Sequence, residues 1–146
     1  MRDGCRTIMV RTGISPRMVL DNTSQVSNVV DTDGWEYVIA DFVLGTLADV
    51  DATFTVLVEE ANNVGMAGAT PVADVNMVSQ TDGIAPEIAA SWNFGDDNEV
   101  RKIEILPTLQ YLRITVTIAN NTGNAFISQA WRLGSPHQAQ VVQLAA

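Results

Sequence analysis

The chain is patterned with a period of two. Leu112, Ile114, Val116 and Ile118 alternate with Tyr111, Arg113, Thr115 and Thr117, as in a strand with one face in a core. Phe54, Val56 and Val58 fall on one face of the run 53–59, and Ile103 and Ile105 alternate with Lys102 and Glu104. Near the end, Ile127, Trp131 and Leu133 share a face with Gln129. The run 35–44 alternates imperfectly, with apolar groups on both faces. That suits a strand covered on both sides, or one with a face in an interface. The β-branched and aromatic content of these runs supports strands throughout.

Turn chemistry separates the runs. Asp31-Thr32-Asp33-Gly34 precedes the first long strand, residues 45–51 separate the next pair, and Gly95-Asp96-Asp97-Asn98 precedes Val100. Asn120-Asn121-Thr122-Gly123-Asn124 reads as a hairpin loop, because Asn and Gly accept positive φ cheaply. Pro107 ends the run before it, since proline cannot donate to a ladder. No segment sustains a helical period. Short helices are expected only around 60–64 and 83–88, and the connections 61–71 and 79–87 are expected to cross between sheets. The pattern predicts an all-β chain: a β-sandwich or jelly-roll-like Greek key of about seven to nine antiparallel strands.

Charge divides the chain in two. Residues 1–17 hold Arg2, Arg6, Arg11 and Arg17 against Asp3, a balance of 4 − 1 = +3, whereas residues 18–146 carry 4 − 16 = −12. A basic arm on an acidic body is an interaction pattern. The expected organisation is an N-terminal arm over 1–20 and a single sandwich domain over 21–146. Ile8, Met9, Val10, Ile14, Met18, Val19 and Leu20 add apolar groups to that arm, so it is expected to pack on a neighbouring chain. Arg2, Arg6, Ile8, Val10, Arg11, Ile14 and Arg17 are the candidate interface residues.

The net charge of −9 argues against nucleic-acid binding by the body. The longest apolar run, residues 37–40, has four residues, far short of the ~20 of a membrane span or the ~7–15 of a leader. A soluble product of the cytoplasm, with no membrane partner, is therefore expected.

Catalytic chemistry is sparse. His137 is the single histidine and Cys5 the single cysteine, and no Gly-x-Ser-x-Gly elbow accompanies them, so no nucleophilic triad is expected. Asp31/Asp33, Asp49/Asp51 and Asp96/Asp97 with Glu99 lie in turns. They start but do not complete a calcium-loop spacing, and are expected to bond local backbone instead. No metal, no cofactor and no enzymatic activity are expected. Trp35, Trp92 and Trp131 sit in strand-like runs, where they supply core or interface area, or a carbohydrate-binding platform if exposed.

Several stretches resemble small structural proteins of tailed bacteriophages, encoded near the major capsid gene. They are Asp31-Thr32-Asp33-Gly34-Trp35, Phe42-Val43-Leu44-Gly45, the run 48–55, Val58-Glu59-Glu60, the run 92–103, Tyr111-Leu112-Arg113-Ile114-Thr115 and Asn120-Asn121-Thr122-Gly123. The family is similar in design to jelly-roll decoration or cement proteins of capsid exteriors. The resemblance implies a protein made in the host cytoplasm that joins the outside of the virion. It implies the major capsid protein as partner and a homo-oligomer, a trimer before other orders. The alternative is a carbohydrate-binding module or a fibre- or tail-associated sandwich. Gln110 before Tyr111, and the absence of a basic residue in Pro136-His137-Gln138, depart from the family pattern.

Overall fold

The computed structural model describes residues 7–137. Over that span the chain forms two antiparallel sheets. One contains β1 (Met9–Val19), β4 (Trp35–Leu47), β7 (Met77–Ser79), β9 (Val100–Ile105) and β11 (Ala125–Pro136), in the spatial order β1-β11-β4-β9-β7. The other is built on β5 (Thr53–Ala61) and β10 (Tyr111–Ala119). There β2 (Gln25–Val26) and β3 (Val30–Asp31) line the free edge of β10, while β6 (Thr70–Pro71) and β8 (Trp92–Asn93) line that of β5. The fold is the expected all-β sandwich. Its eleven described strands exceed the expected seven to nine because β2, β3, β6 and β8 are two-residue pieces.

Alternation decides the layers. Leu112, Ile114, Val116 and Ile118 of β10 are at most 4% exposed, and they meet Phe54, Val56 and Val58 of β5 on the same face. Val38, Ala40, Phe42 and Leu44 of β4, with Ile103 and Ile105 of β9 and Ile127, Trp131 and Leu133 of β11, close the core from the other sheet. Trp92 stacks on Phe54 with ring centroids 5.4 Å apart. Burial of this kind contributes ~25 cal/mol per Å² of apolar surface.

Two sequence expectations are overturned. The loop over 120–124 is not a hairpin: β10 and β11 belong to different sheets. Both edges of β10 are already occupied, by β5 on one side and by β2 and β3 on the other, so the chain must cross the sandwich. Asn120 takes the positive φ of the turn (57°). Buried Asn121 donates its side-chain amide to Asp21 O (3.2 Å) and its N–H to Asn22 Oδ1 (2.7 Å). Residues 60–64 are likewise not helical; they hold the end of β5 and a turn. The other short helix expected is present, slightly displaced, as α1 (Pro86–Ala90).

The arm reading is corrected for the part that is described. Residues 9–19 are β1, paired along its length with β11 from Met9↔Leu133 to Val19↔Ala125. Ile14 and Val19 enter the core at 2% and 5% exposure. The strand lies close because Gly13 carries no side chain: a Cβ there would fall 1.6 Å from Gln129 Oε1. Of the apolar residues taken for a docking arm, Ile14 and Val19 bury against their own sandwich and Met9 does so in part, whereas Ile8, Val10, Met18 and Leu20 stay exposed. The boundary at residue 20 divides one sheet.

Side chains finish the sheet edges where strands break. Ser27 N–H donates to Ile114 O (2.8 Å), and Ser27 Oγ accepts from Ile114 N–H (2.9 Å), bridging β2 and β3. On β5, the edge between β8 and β6 is closed by α1. Val56 N–H donates to Ser91 Oγ (2.9 Å) and Val58 N–H to Glu87 Oε1 (2.5 Å). Glu60, 6% exposed, accepts from Thr108 N–H, Thr108 Oγ1 and Leu109 N–H, fixing the crossover from β9 to β10.

Candidate functional site

The described ones among the seven interface candidates do not share one face. Arg2 and Arg6 lie outside the described residues. Ile14 is core. Arg11 and Arg17 are exposed on β1, Arg11 bonding Val10 O (3.2 Å) and Arg17 bonding Ser15 O and Gln25 Oε1 (both 3.3 Å). Ile8 is 36% exposed and Val10 58%. Val10 pairs with Arg132, which places it on the outer face of its sheet. Of the described candidates, Val10 is the apolar one that the register places on the outer face of the sheet.

That face was marked in the sequence by the imperfect alternation of 35–44. Besides Val10 it presents Met18, Val43, Val78, Val100 and Phe126, all between 43% and 63% exposed. Registers place them outward across five strands, with Phe126 beside Met18 and Val100 beside Val43. Met18, Val43, Phe126 and Pro16 line an open, largely apolar groove of about 460 Å³. Between them Arg132 holds Asp41 in a bidentate pair, Nε on Oδ2 and Nη2 on Oδ1, and Lys102 and Glu104 stand on β9. The outer face of the other sheet is different. Thr53, Thr55, Thr115 and Thr117 dominate it with the Arg113–Glu59 ion pair (2.8 Å), and among the described residues of its strands Val26, 54% exposed, is the one exposed large apolar side chain.

A second groove, of about 600 Å³, lies between the edges of the two sheets. Met9, Arg11, Asn28, Val30, Asp31 and Asp33 line it. Asp31 Oδ1 accepts from Asp33 N–H (2.9 Å) and from Gln110 Nε2 (3.1 Å), so its carboxylate serves the turn.

The other acidic pairs also hold backbone. Asp49 accepts from Asp51 N–H, Thr122 N–H and Thr122 Oγ1, and these bonds hold its carboxyl below the ordinary aspartate value. It ties together two loops that cross between the sheets. Asp97 Oδ1 accepts from Leu47 N–H (2.6 Å). Asp96 pairs with Arg101 (2.5 Å), whose guanidinium also reaches Ala89 O and Ser91 O. Among the described residues, no three His, Cys, Asp or Glu gather as metal ligands. Burial pushes the Glu87 carboxyl up, against the pull of the Val58 N–H bond, and Asp74 adds to the rise.

Trp131 and Trp92 are 0% and 4% exposed, and Trp35 is partly buried against the core. Trp131 Nε1 donates to Asn28 O (3.2 Å). Two of the three indoles are therefore unavailable to a flat carbohydrate platform. His137 is exposed at the end of β11, its backbone N–H on Gly34 O (2.8 Å). Cys5 lies outside the described residues.

No family model matches the chain and no curated protein matches it. Among solved structures it is similar to the infectious bursal disease virus VP2 subviral particle, with a TM-score of 0.42 and 10% identity over 89% of this chain. It is similar too to a family GH115 4-O-methyl-alpha-glucuronidase, with a TM-score of 0.42 and 13% identity over 90% of this chain. The chain spans 32% of the first protein and 17% of the second.

Proposed function

We propose that this chain is a bacteriophage virion structural protein, a decoration or cement protein. It binds the outer shell as a homo-oligomer, and its partner is the major capsid protein. The carrying observation is the contrast between the two sheet faces. One is threonine-covered, and the other bears six exposed large apolar side chains on a hydrogen-bonded platform. Rigid apolar-studded surface of that kind is suited to association. The described carboxylates Asp49, Asp97, Glu60 and Glu87 are engaged in holding loops and edges, as a load-carrying sandwich requires. The family resemblance of residues 30–137 supports the same reading.

The mechanism is burial of area across seams between capsomers. Several modest contacts per oligomer combine into tight attachment through effective concentration. The acidic body limits non-specific aggregation of the free protein before it binds. The test is co-sedimentation of the purified full chain with expanded shells that lack it, followed by heating of the loaded shells. Saturable binding and a raised shell-disruption temperature are expected. Absence of binding to such shells would overturn the reading.

A further inference from the structure

We infer that the outer face of the β1-β11-β4-β9-β7 sheet is where two copies of this chain pair, about a two-fold axis running along β4. The assignment rests on the homo-oligomer part of the reading above, and it names the surface and the symmetry.

The registers connect Val10, Arg132, Ile39, Glu104 and Val78 across all five strands, one residue per strand. Read from either edge the row is apolar, charged, apolar, charged, apolar, with opposite charges at the two charged positions. A two-fold axis along the middle strand exchanges its ends. Val10 then meets Val78 of the second copy, Arg132 meets Glu104, and Ile39 meets Ile39. A patch that complements itself under rotation is the requirement of an isologous contact.

The neighbouring rows fit the same operation. Ser128, Val43 and Val100 lie side by side, so Val43 faces Val43 and Ser128 faces Val100. In the row of Ala130, Asp41 and Lys102, Asp41 comes opposite its own copy. Each Asp41 is already held by Arg132 and flanked by Lys102, which offsets that repulsion. Rotation about an axis parallel to the strands keeps the two sheets aligned, as in face-to-face sheet packing, where twist leaves ~30° between strand directions.

Charge selects a second copy as occupant. The chain carries −9 overall. On the rows of β11, β4 and β9, Arg132 and Lys102 balance Asp41 and Glu104, and Arg17 at the groove adds a cation, so this face carries no excess of negative charge. The remaining surface holds the excess negative charge, and approach of two copies through it is opposed. The area is adequate: five strands at ~4.8 Å spacing over roughly 20 Å of strand give a footprint on the order of 500 Å². That is the lower range for a specific contact, where ~800 Å² per partner is standard, and it implies a dimer of modest affinity. A two-fold contact makes a dimer, in place of the trimer that the resemblance implies.

The test is sedimentation equilibrium of the full chain, up to a few hundred micromolar. The wild type should fit a monomer–dimer equilibrium. Val43→Asp puts two carboxylates across the axis, and Glu104→Arg puts a cation opposite Arg132. Each should raise the dimer dissociation constant by about tenfold or more. Val26→Asp, on the outer face of the other sheet, should leave it unchanged. Circular dichroism melts confirm folding, and Glu104→Arg carries the test if Val43→Asp fails to fold. A wild type monomeric throughout overturns the oligomer reading together with this face. An oligomer indifferent to both variants, or a trimer by mass, overturns the face alone. A monomer whose shell binding is lost in Val43→Asp gives the face to the shell and overturns the pairing. Shell co-sedimentation of the wild type reports separately on the decoration reading.

Discussion

Glu87 stands in for a strand, and its replacement measures what that substitution is worth. Val58 is 0% exposed, and its N–H is satisfied by Glu87 Oε1 at 2.5 Å. Glu87→Ala leaves this donor without its acceptor, at a cost of about 1–3 kcal/mol. For a domain of this size each kcal/mol corresponds to ~2–4 °C of melting temperature, so Tm should fall by about 2–12 °C. Glu87→Gln keeps a carbonyl acceptor and should cost less than about 1 kcal/mol. The carboxyl is pushed up by burial, with Asp74 adding to the rise. A carboxyl whose folded pKa lies above its unfolded one favours the fold below the unfolded pKa, and loses that contribution as pH rises through the folded pKa. Wild-type stability should therefore decline relative to Glu87→Gln as pH rises out of the ordinary glutamate range. Thermal and urea melts of the three proteins across that range provide the assay. Equal melting of the Ala and Gln variants, or a wild type that gains on Gln with rising pH, would refute the edge-closing role.

Three further outcomes are expected. Ile114→Ala, at a fully buried position of β10, should destabilise by about 2–5 kcal/mol in urea unfolding; a cost below ~1 kcal/mol would contradict the core assignment. Asp49→Asn should flatten the acid limb of stability. The Asp49 carboxyl is held low by the N–H groups of Asp51 and Thr122 and by the Thr122 hydroxyl, so its contribution is present above the unfolded pKa and lost as pH falls through the folded one. A variant with the same acid midpoint as wild type would refute this. A chain beginning at Asp21 lacks β1, and with it Ile14 and Val19 of the core. It should lose the cooperative near-ultraviolet transition, whereas a chain beginning at Thr7 should keep it. Native-like melting of the shorter chain would restore the separate arm.

The strands were legible because burial follows a period of two. The four inward residues of β10, and Phe54, Val56 and Val58 of β5, are the alternating positions of the sequence. Local alternation and the need for positive φ at a loop are properties of neighbouring residues, so both could be read along the chain. The turn aspartates Asp31 and Asp49 bond backbone two residues on, as local spacing predicts, whereas Asp97 reaches the N–H of Leu47, far away in sequence. Which strand pairs with which was decided only by the tertiary structure. The turn at 120–124 has hairpin chemistry but joins two sheets, because β10 had no edge left for β11. Residues 9–19 carry an arm's basic and apolar composition, yet they are sheet, because β11 offered an edge that Ile14 and Val19 could cover. The imperfect alternation of 35–44 marks the central strand of the face assigned to pairing, but the assembly of that face is not visible along the chain. Its row of Val10, Arg132, Ile39, Glu104 and Val78 draws one residue from each of five strands, and only the registers of the folded sheet set them side by side.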